Sequence, residues 1–352
     1  MRRDLVTRAA TRDRTPPGPS SRWPVHHLAE TEDMTAPDSV APALVAELQE
    51  TLGDWFERTA RPLPWRSPDR TPWGVLVSEV MSQQTPVARV APVWLEWMER
   101  WPTPAAFAAA STADVLRAWG RLGYPRRALR LQECARAVVE RHDGEVPEDE
   151  TLLLALPGVG TYTAAAVMAF AFGRRSVVVD TNVRRVLART LGGDALPMPA
   201  LTAAESARAA RVAPVSDDDA ALWAASSMEL GAVVCTARAP SCDSCPVSHL
   251  CAWRAAGYPP DEHTGRRRTQ AWKGTDRQAR GTVMGALRAA HGPVARAVLD
   301  DLWPDAAQLG RCLASLVEDG LVEQCDADLS GGPDGRTPGR DADNAQVYRL
   351  PA

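Results

Sequence analysis

"LPGVGTYTAAAVMAFAFG", residues 156–173, sets two glycines just behind a proline and then runs into an apolar stretch of helical character. Pro157 fixes one backbone torsion, while Gly158 and Gly160 permit a turn too tight for a residue with a Cβ. Such a turn at a helix start leaves backbone N–H groups facing outward, where they can hold a phosphate oxygen. Glycine also ends helices, so a plain C-cap followed by a turn is the alternative reading. Gly158 and Gly160 are therefore candidate contacts to a nucleic-acid backbone in a helix-hairpin-helix arrangement.

Outward from this stretch, apolar residues keep a helical period from position 41 to about 258. "VAELQETLGDWFERT" (45–59), "APVWLEWMERW" (91–101), "RRALRLQECARAVVERH" (126–142) and "DDDAALWAASSMELGAVVC" (217–235) are examples. Pro and Gly punctuate them, and no alternating strand pattern of comparable length intervenes. The apolar "SVVVD" ending at Asp180 is a lone run that builds no sheet. The spacing predicts an all-α body. Residues 1–40, rich in Pro, Ser, Thr and charge, read as a disordered extension, with Met34 as an alternative start. A basic linker, 259–275, precedes a change of composition. "RQARGTVMGALRAAHG", "ARAVLDDLW" and "AAQLGRCLASLVEDG" read as three short helices, followed by "LVEQCDA", a Gly/Asp/Pro-rich turn and "AQVYRLP". Three helices and a two-stranded ribbon predict a small winged-helix-like module over 276–352.

The 352 residues, 45% of them hydrophobic, suffice for two or three domains with sizeable cores. No run approaches the roughly 18 to 20 apolar residues of a membrane helix, and the Arg-dotted N-terminus lacks a signal-peptide core, so a cytoplasmic protein is expected. A net charge of −4 does not advertise nucleic-acid binding, which would have to rest on local patches. Two exist: Arg117, Arg121, Arg126, Arg127, Arg130, Arg136 and Arg141, and "GRRRTQAWKGTDRQARG" (265–281). Lys273 is the only lysine among forty basic residues.

"CTARAPSCDSCPVSHLC", residues 235–251, holds Cys235, Cys242, Cys245 and Cys251. Cytosolic thiols stay reduced, so this grouping points to a metal rather than to disulfides. Four thiolates in one loop can take a tetrahedral zinc or a cubane iron–sulfur cluster, and a single close pair in asymmetric spacing favours the cluster. Cys134, Cys312 and Cys325 read as ordinary buried or half-buried thiols.

Two carboxylates stand out. Asp180 lies directly before a helix, as an N-cap would, and a capping carboxylate stays ionised and suits the stabilisation of a developing cation. Glu79 interrupts the apolar "PWGVLVSEVMSQQTP" (72–86). On a solvated face it would be ordinary; among Val and Met, desolvation would raise its pKa and make it a general acid near neutral pH.

In order along the chain, LPWR (63–66), SEVMSQQT (78–85), RLGYPRR (121–127), LPGVGTYT (156–163), VVDTNVRRVLAR (178–189), MELGAVVC (228–235) and the four cysteines resemble the helix-hairpin-helix DNA glycosylases, and among them the A/G-specific adenine glycosylases, over about residues 60–255. The resemblance implies a mainly α, two-domain fold. A six-helix barrel with the hairpin would span 73–180, and an iron–sulfur helical domain 41–72 and 181–258. It implies excision of adenine from 8-oxoguanine:A or G:A mispairs in double-stranded DNA by a monomeric enzyme carrying a 4Fe-4S cluster on Cys235, Cys242, Cys245 and Cys251. Glu79 would protonate the extruded adenine, Asp180 would stabilise the oxocarbenium-like sugar, and Asn182 would order Asp180. Tyr162 stands where bifunctional relatives carry a Schiff-base lysine, so a monofunctional hydrolase is expected. Trp65, Arg66 and Glu229 would line the base pocket, and Gln84 and Tyr124 would probe the stack beside the opposing purine. Packing in the core is the alternative for Trp65 and Tyr124, and helix-surface polarity for Gln84. Arg238 and Arg254 would offer charge to phosphates.

Ser82 in place of leucine, Pro125 in place of a second tyrosine and DTN in place of DGN depart from the family pattern. The stretch after the linker is also too short for the family's Nudix-like module that reads 8-oxoguanine. Competing expectations are a T:G thymine glycosylase, an endonuclease III-like lyase, and a non-catalytic iron–sulfur DNA-binding protein. The missing lysine disfavours the lyase, and Glu79, Tyr162 and Asp180 have no role in the last.

Overall fold

The computed structural model describes residues 40–266, 272–326 and 346–352. The N-terminal extension with Met34, the middle of the basic linker and the Gly/Asp/Pro-rich turn expected after "LVEQCDA" lie outside the described residues.

Glu79 is carried by a helix with no solvated face. α2 (Pro72–Ser82) starts at Thr71, whose hydroxyl accepts from the Gly74 N–H, with Pro72 at the first position. Every residue from Trp73 to Met81 is buried, because α2 runs between α3 (Val87–Arg100), α6 (Arg126–Arg141) and α8 (Thr161–Phe172). α4 (Pro104–Ala108), α5 (Thr112–Trp119) and α7 (Glu150–Leu154) complete this first bundle. Its core is rich in rings: Trp97 meets Trp101, Phe107 and Trp119 at centroid distances of 5.0–5.7 Å.

The hairpin is α7, the LPGVG turn and α8. Gly158 has φ +77°, and a Cβ there would also come within 3.0 Å of the Arg130 Cβ, so both torsion and space require glycine. Gly160 is the N-cap of α8 and supplies no side-chain acceptor, and the first helical bond of α8 is donated by Ala164 to the Gly160 carbonyl. The N–H groups of the first turn therefore point out of the helix end. At the far end, Gly173 closes α8 in the left-handed region.

The second core lies under α1 (Pro42–Thr59), α9 (Thr181–Leu187), α10 (Ala203–Val212) and α11 (Asp217–Val233). Acidic Asp217, Asp218 and Asp219 behind a Ser216 N-cap favour the start of α11, and a Thr202/Glu205 capping box starts α10. α9 and α11 cross very closely at Gly231, where a Cβ would meet the Asn182 Cβ at 2.6 Å and its carbonyl oxygen at 2.8 Å. Beyond α9 the chain takes one wider turn, Ala188–Gly192, and α11 leads into the cysteine loop and α12 (Ala252–Ala255). Residues 173–180, with "SVVVD", form no strand.

The C-terminal segment comprises α13 (Asp276–Ala289), β1 (Val294–Ala295), α14 (Arg296–Asp300), α15 (Ala306–Glu318), β2 (Glu323–Asp326) and β3 (Gln346–Arg349). The ribbon expected from sequence is wider by one strand: β3 pairs antiparallel with both β2 and β1, in the order β1-β3-β2. Two residues are too few for a strand period to show in a sequence. The core of this segment includes Leu116 of α5, with Ala113 and Leu129 packed against it. Lys273 is exposed just ahead of α13.

Candidate active site

The fold brings Glu79, Tyr162, Asp180 and Arg66 into one electrostatic group. Glu79 is 8% exposed, and the Tyr162 hydroxyl donates to its Oε2 at 2.8 Å. Burial pushes the Glu79 carboxyl up to about 7; the Tyr162 hydrogen bond and the Arg66 charge oppose the rise, and the Asp180 charge adds to it. Burial and the two neighbouring carboxylates hold the Tyr162 phenol well above its ordinary value, so Tyr162 stays a proton donor.

Asp180 is the N-cap of α9. Its Oδ1 accepts from the Val183 N–H and its Oδ2 from the Asn182 amide, both at 2.7 Å. Burial raises its pKa, against these hydrogen bonds and the Arg185 charge, so the capping role is present but the carboxylate is less acidic than capping alone would make it. Asn182 is held in turn by Arg185, which donates to the Asn182 Oδ1 at 2.8 Å, to the Gly231 carbonyl at 2.6 Å and to the Cys235 carbonyl at 2.7 Å. One buried guanidinium thus joins the Asp180 support to the first cysteine of the loop.

The remaining candidates are placed as follows. Arg66 donates to Glu229 at 3.0 Å and lies 5.1 Å above the Phe56 ring. Glu229 is 1% exposed and is taken up by an ion-pair triad, with Arg61 binding both carboxylate oxygens at 2.5 and 2.8 Å. Burial opposes its charge, but the Arg61 hydrogen bond and the Arg66 charge outweigh burial and hold Glu229 below its ordinary value. Arg61 was not legible from sequence, since its partner is far along the chain. Trp65, 9% exposed, packs edge-on against Trp94 at 5.8 Å and belongs to the first core. Gln84 and Tyr124 are both exposed, each on a turn rather than a helix, with φ of +55° and +47°.

Arg127 connects these two turns. Read from sequence as part of a surface patch, it points inward instead. It donates to the Val80, Met81 and Gln83 carbonyls on one side and to Thr85, Leu122 and Gly123 on the other, at 2.6–3.3 Å. A cation is used here because the C-terminal end of α2 and a left-handed turn both present carbonyls without helical donors. Burial lowers its pKa to about 10. Arg126 and Arg130 remain exposed and line a cleft that reaches Pro157 and Gly158.

Cys235, Cys242, Cys245 and Cys251 are free thiols around one pocket, together with Arg189, Val247 and Trp253. Among the described residues no group of three or more His, Cys, Asp or Glu closes on a point that a single metal ion could take. The donor set fits a negatively charged group: Arg189, 2% exposed, donates to the Cys235 Sγ at 3.2 Å and to the Thr236 carbonyl at 2.8 Å. Arg238 and Arg254 are exposed in and after the loop. No helix among the described residues is long and apolar enough to cross a membrane.

Residues 77–211 match the model of the HhH-GPD superfamily of base excision DNA repair proteins, and residues 235–251 that of the iron–sulfur binding domain of endonuclease III. The chain is 53% identical over 269 residues to the adenine DNA glycosylase of Mycobacterium tuberculosis strain H37Rv, covering 76% of this chain and 88% of that protein. Among solved structures, a thermostable thymine-DNA glycosylase matches with a TM-score of 0.54 at 25% identity, covering 61% of this chain and 98% of that one. A non-covalent endonuclease III–DNA complex matches with the same TM-score and identity, over 62% and 99%.

Proposed function

The chain belongs to the adenine DNA glycosylase family, and from that premise we propose that it hydrolyses the N-glycosidic bond of an adenine mispaired with 8-oxoguanine or guanine in duplex DNA. It is a DNA glycosylase of base excision repair, and the mispair is what the proposal adds. The observation that carries it is Glu79, buried, poised near pH 7 and accepting from Tyr162.

In this reading the extruded adenine meets the protonated Glu79, which delivers its proton to a ring nitrogen and so turns the base into a better leaving group. Tyr162 occupies one carboxyl oxygen of Glu79 and leaves the other to carry the proton. Asp180, fixed by Val183 and Asn182, faces the sugar as positive charge develops there. Water then completes the hydrolysis. A thymine base has no ring nitrogen free to accept a proton in the same way, which favours adenine over a T:G substrate. Arg66, held by Glu229 at 3.0 Å, brings its charge to bear on Glu79, and with Trp65 and Glu229 it would line the base pocket. Gly158 and Gly160, with Arg126 and Arg130, would hold a backbone phosphate. Cys235, Cys242, Cys245 and Cys251 would hold the 4Fe-4S cluster, which orders the loop bearing Arg238. The enzyme would act as a cytoplasmic monomer.

The test is base release from end-labelled duplexes carrying 8-oxoguanine:A, G:A or T:G, with and without hot alkali, by wild type and Glu79→Gln. Alkali-dependent breakage at adenine that the variant loses is the expected result. Breakage at T:G with adenine intact would overturn it.

A further inference from the structure

Glu79 lies in the last turn of α2, which ends at Ser82. The last carbonyls of a helix have no following N–H to accept from, and an end left in that state frays into water. Gln83, the C-cap of α2, leaves the helical path with ψ +112°. The Thr85 N–H takes the Ser82 carbonyl at 3.2 Å. Arg127 takes its neighbours: Nη1 donates to the carbonyls of Val80 at 2.8 Å, Met81 at 3.0 Å and Gln83 at 2.6 Å. The two carbonyls directly after that of Glu79 are therefore held by one side chain of α6.

That side chain has little freedom of its own. Its Nη2 donates to the Thr85 Oγ1 at 3.0 Å and to the Leu122 and Gly123 carbonyls at 3.3 and 3.0 Å. Its guanidinium carbon lies 5.0 Å from the ring centroid of the fully buried Trp119 and 5.7 Å from that of Tyr124. Its Nε is buried with no acceptor among the described residues, so the two ends of the planar fork fix its place. Glu79 in turn owes its weakened acidity first to burial. The groups that act on it electrostatically are Tyr162 of α8, Asp180 at the start of α9 and Arg66 ahead of α2, while α3 and α6 add none. Arg127 thus reaches Glu79 through the backbone of α2 and not through its charge.

We propose that Arg127 is a positioning residue for Glu79: by closing the carbonyl end of α2 it holds the last turn of that helix together and keeps water from the carboxyl that the turn carries. With this end open, the turn loosens, water reaches Glu79 and the carboxyl returns toward its ordinary acidity. Lysine keeps the charge but has a single nitrogen where arginine has a fork, and cannot hold α2 and the Leu122–Gly123 turn at once. The consequence for rate rests on the proposed function, in which protonated Glu79 is the acid; the consequence for stability does not.

The test compares wild type and Arg127→Lys, each with and without Glu79→Gln, by two readouts. At pH 8 a buried Glu79 is ionised at a cost, so Glu79→Gln raises the melting temperature. That gap should shrink by roughly half in the Arg127→Lys background. In single-turnover adenine release at saturating enzyme, the falling limb of Arg127→Lys should lie roughly one pH unit below that of wild type. The variant is then about fivefold slower at pH 7 and close to wild type at pH 5. Arg126→Gln, one residue away and lining the cleft, should weaken duplex binding and leave the limb in place. A melting gap of wild-type size, or a rate loss equal at every pH, would make Arg127 a residue of general stability and overturn the proposal. If Arg127→Lys does not fold, Thr85→Val, which removes one acceptor of the fork, is judged by the same two criteria. No adenine release by the wild type would overturn the proposed function, and the melting gap would still decide the role of Arg127.

Discussion

Glu79 ties together acidity, stability and rate. Its folded pKa of about 7 stands above the ordinary value of 4.5, so between those two the folded state binds more protons than the unfolded one. Stability is then lost as pH rises through that window, by up to about 3 kcal/mol once the buried carboxylate is ionised. Glu79→Gln should melt higher than wild type at pH 8, with the difference shrinking at pH 5, and should release no adenine at either pH. A variant that melts lower at pH 8 would show that the carboxylate is not buried at a cost. The acid form is the active one, so the single-turnover rate of the wild type should fall as pH rises above about 7. Tyr162→Phe removes a hydrogen bond that lowers the Glu79 pKa. The falling limb of its rate profile should therefore move to higher pH, and an unmoved limb would detach Tyr162 from the acid.

At the scale of elements, function depends on how closely helices cross. α9 carries Asp180 at its N-cap and α11 carries Glu229, and they meet where Gly231 lies against Asn182. A methyl group at 2.6–2.8 Å from Asn182 cannot be absorbed by a side-chain rotation, because one of the atoms it meets is backbone. Gly231→Ala should cost about 1 to 3 kcal/mol in urea unfolding and should lower the excision rate at a saturating enzyme concentration, since Asn182 positions Asp180. A stable, fully active variant would show that the crossing has slack. Arg185 spans the same crossing and reaches Cys235, so order in the cysteine loop and order at Asp180 depend on one side chain.

For the whole molecule, the sequence made legible whatever recurs locally. The helical period of 41–258, the glycines of the hairpin, the cysteine spacing and the single acid inside an apolar run each carry a local signature. The structure adds pairings between distant positions, such as Arg61 with Glu229 and Arg127 with the carbonyl end of α2. It also shows which of many arginines turn inward: Arg127, Arg185 and Arg189 are indistinguishable in sequence from the surface arginines beside them, and only packing selects them. The positive φ of Gln84 and Tyr124 was equally hidden, because neither residue type announces a left-handed turn. The arginine bias has a chemical consequence of its own. Every buried cation described above is a guanidinium, a poor nucleophile, and the one lysine side chain, Lys273, lies exposed ahead of α13. Borohydride added during turnover should therefore reduce no covalent protein–DNA adduct at the excision site, and a Lys273→Arg variant should behave identically. An adduct that mapped to the catalytic body would require an amine that the body does not possess.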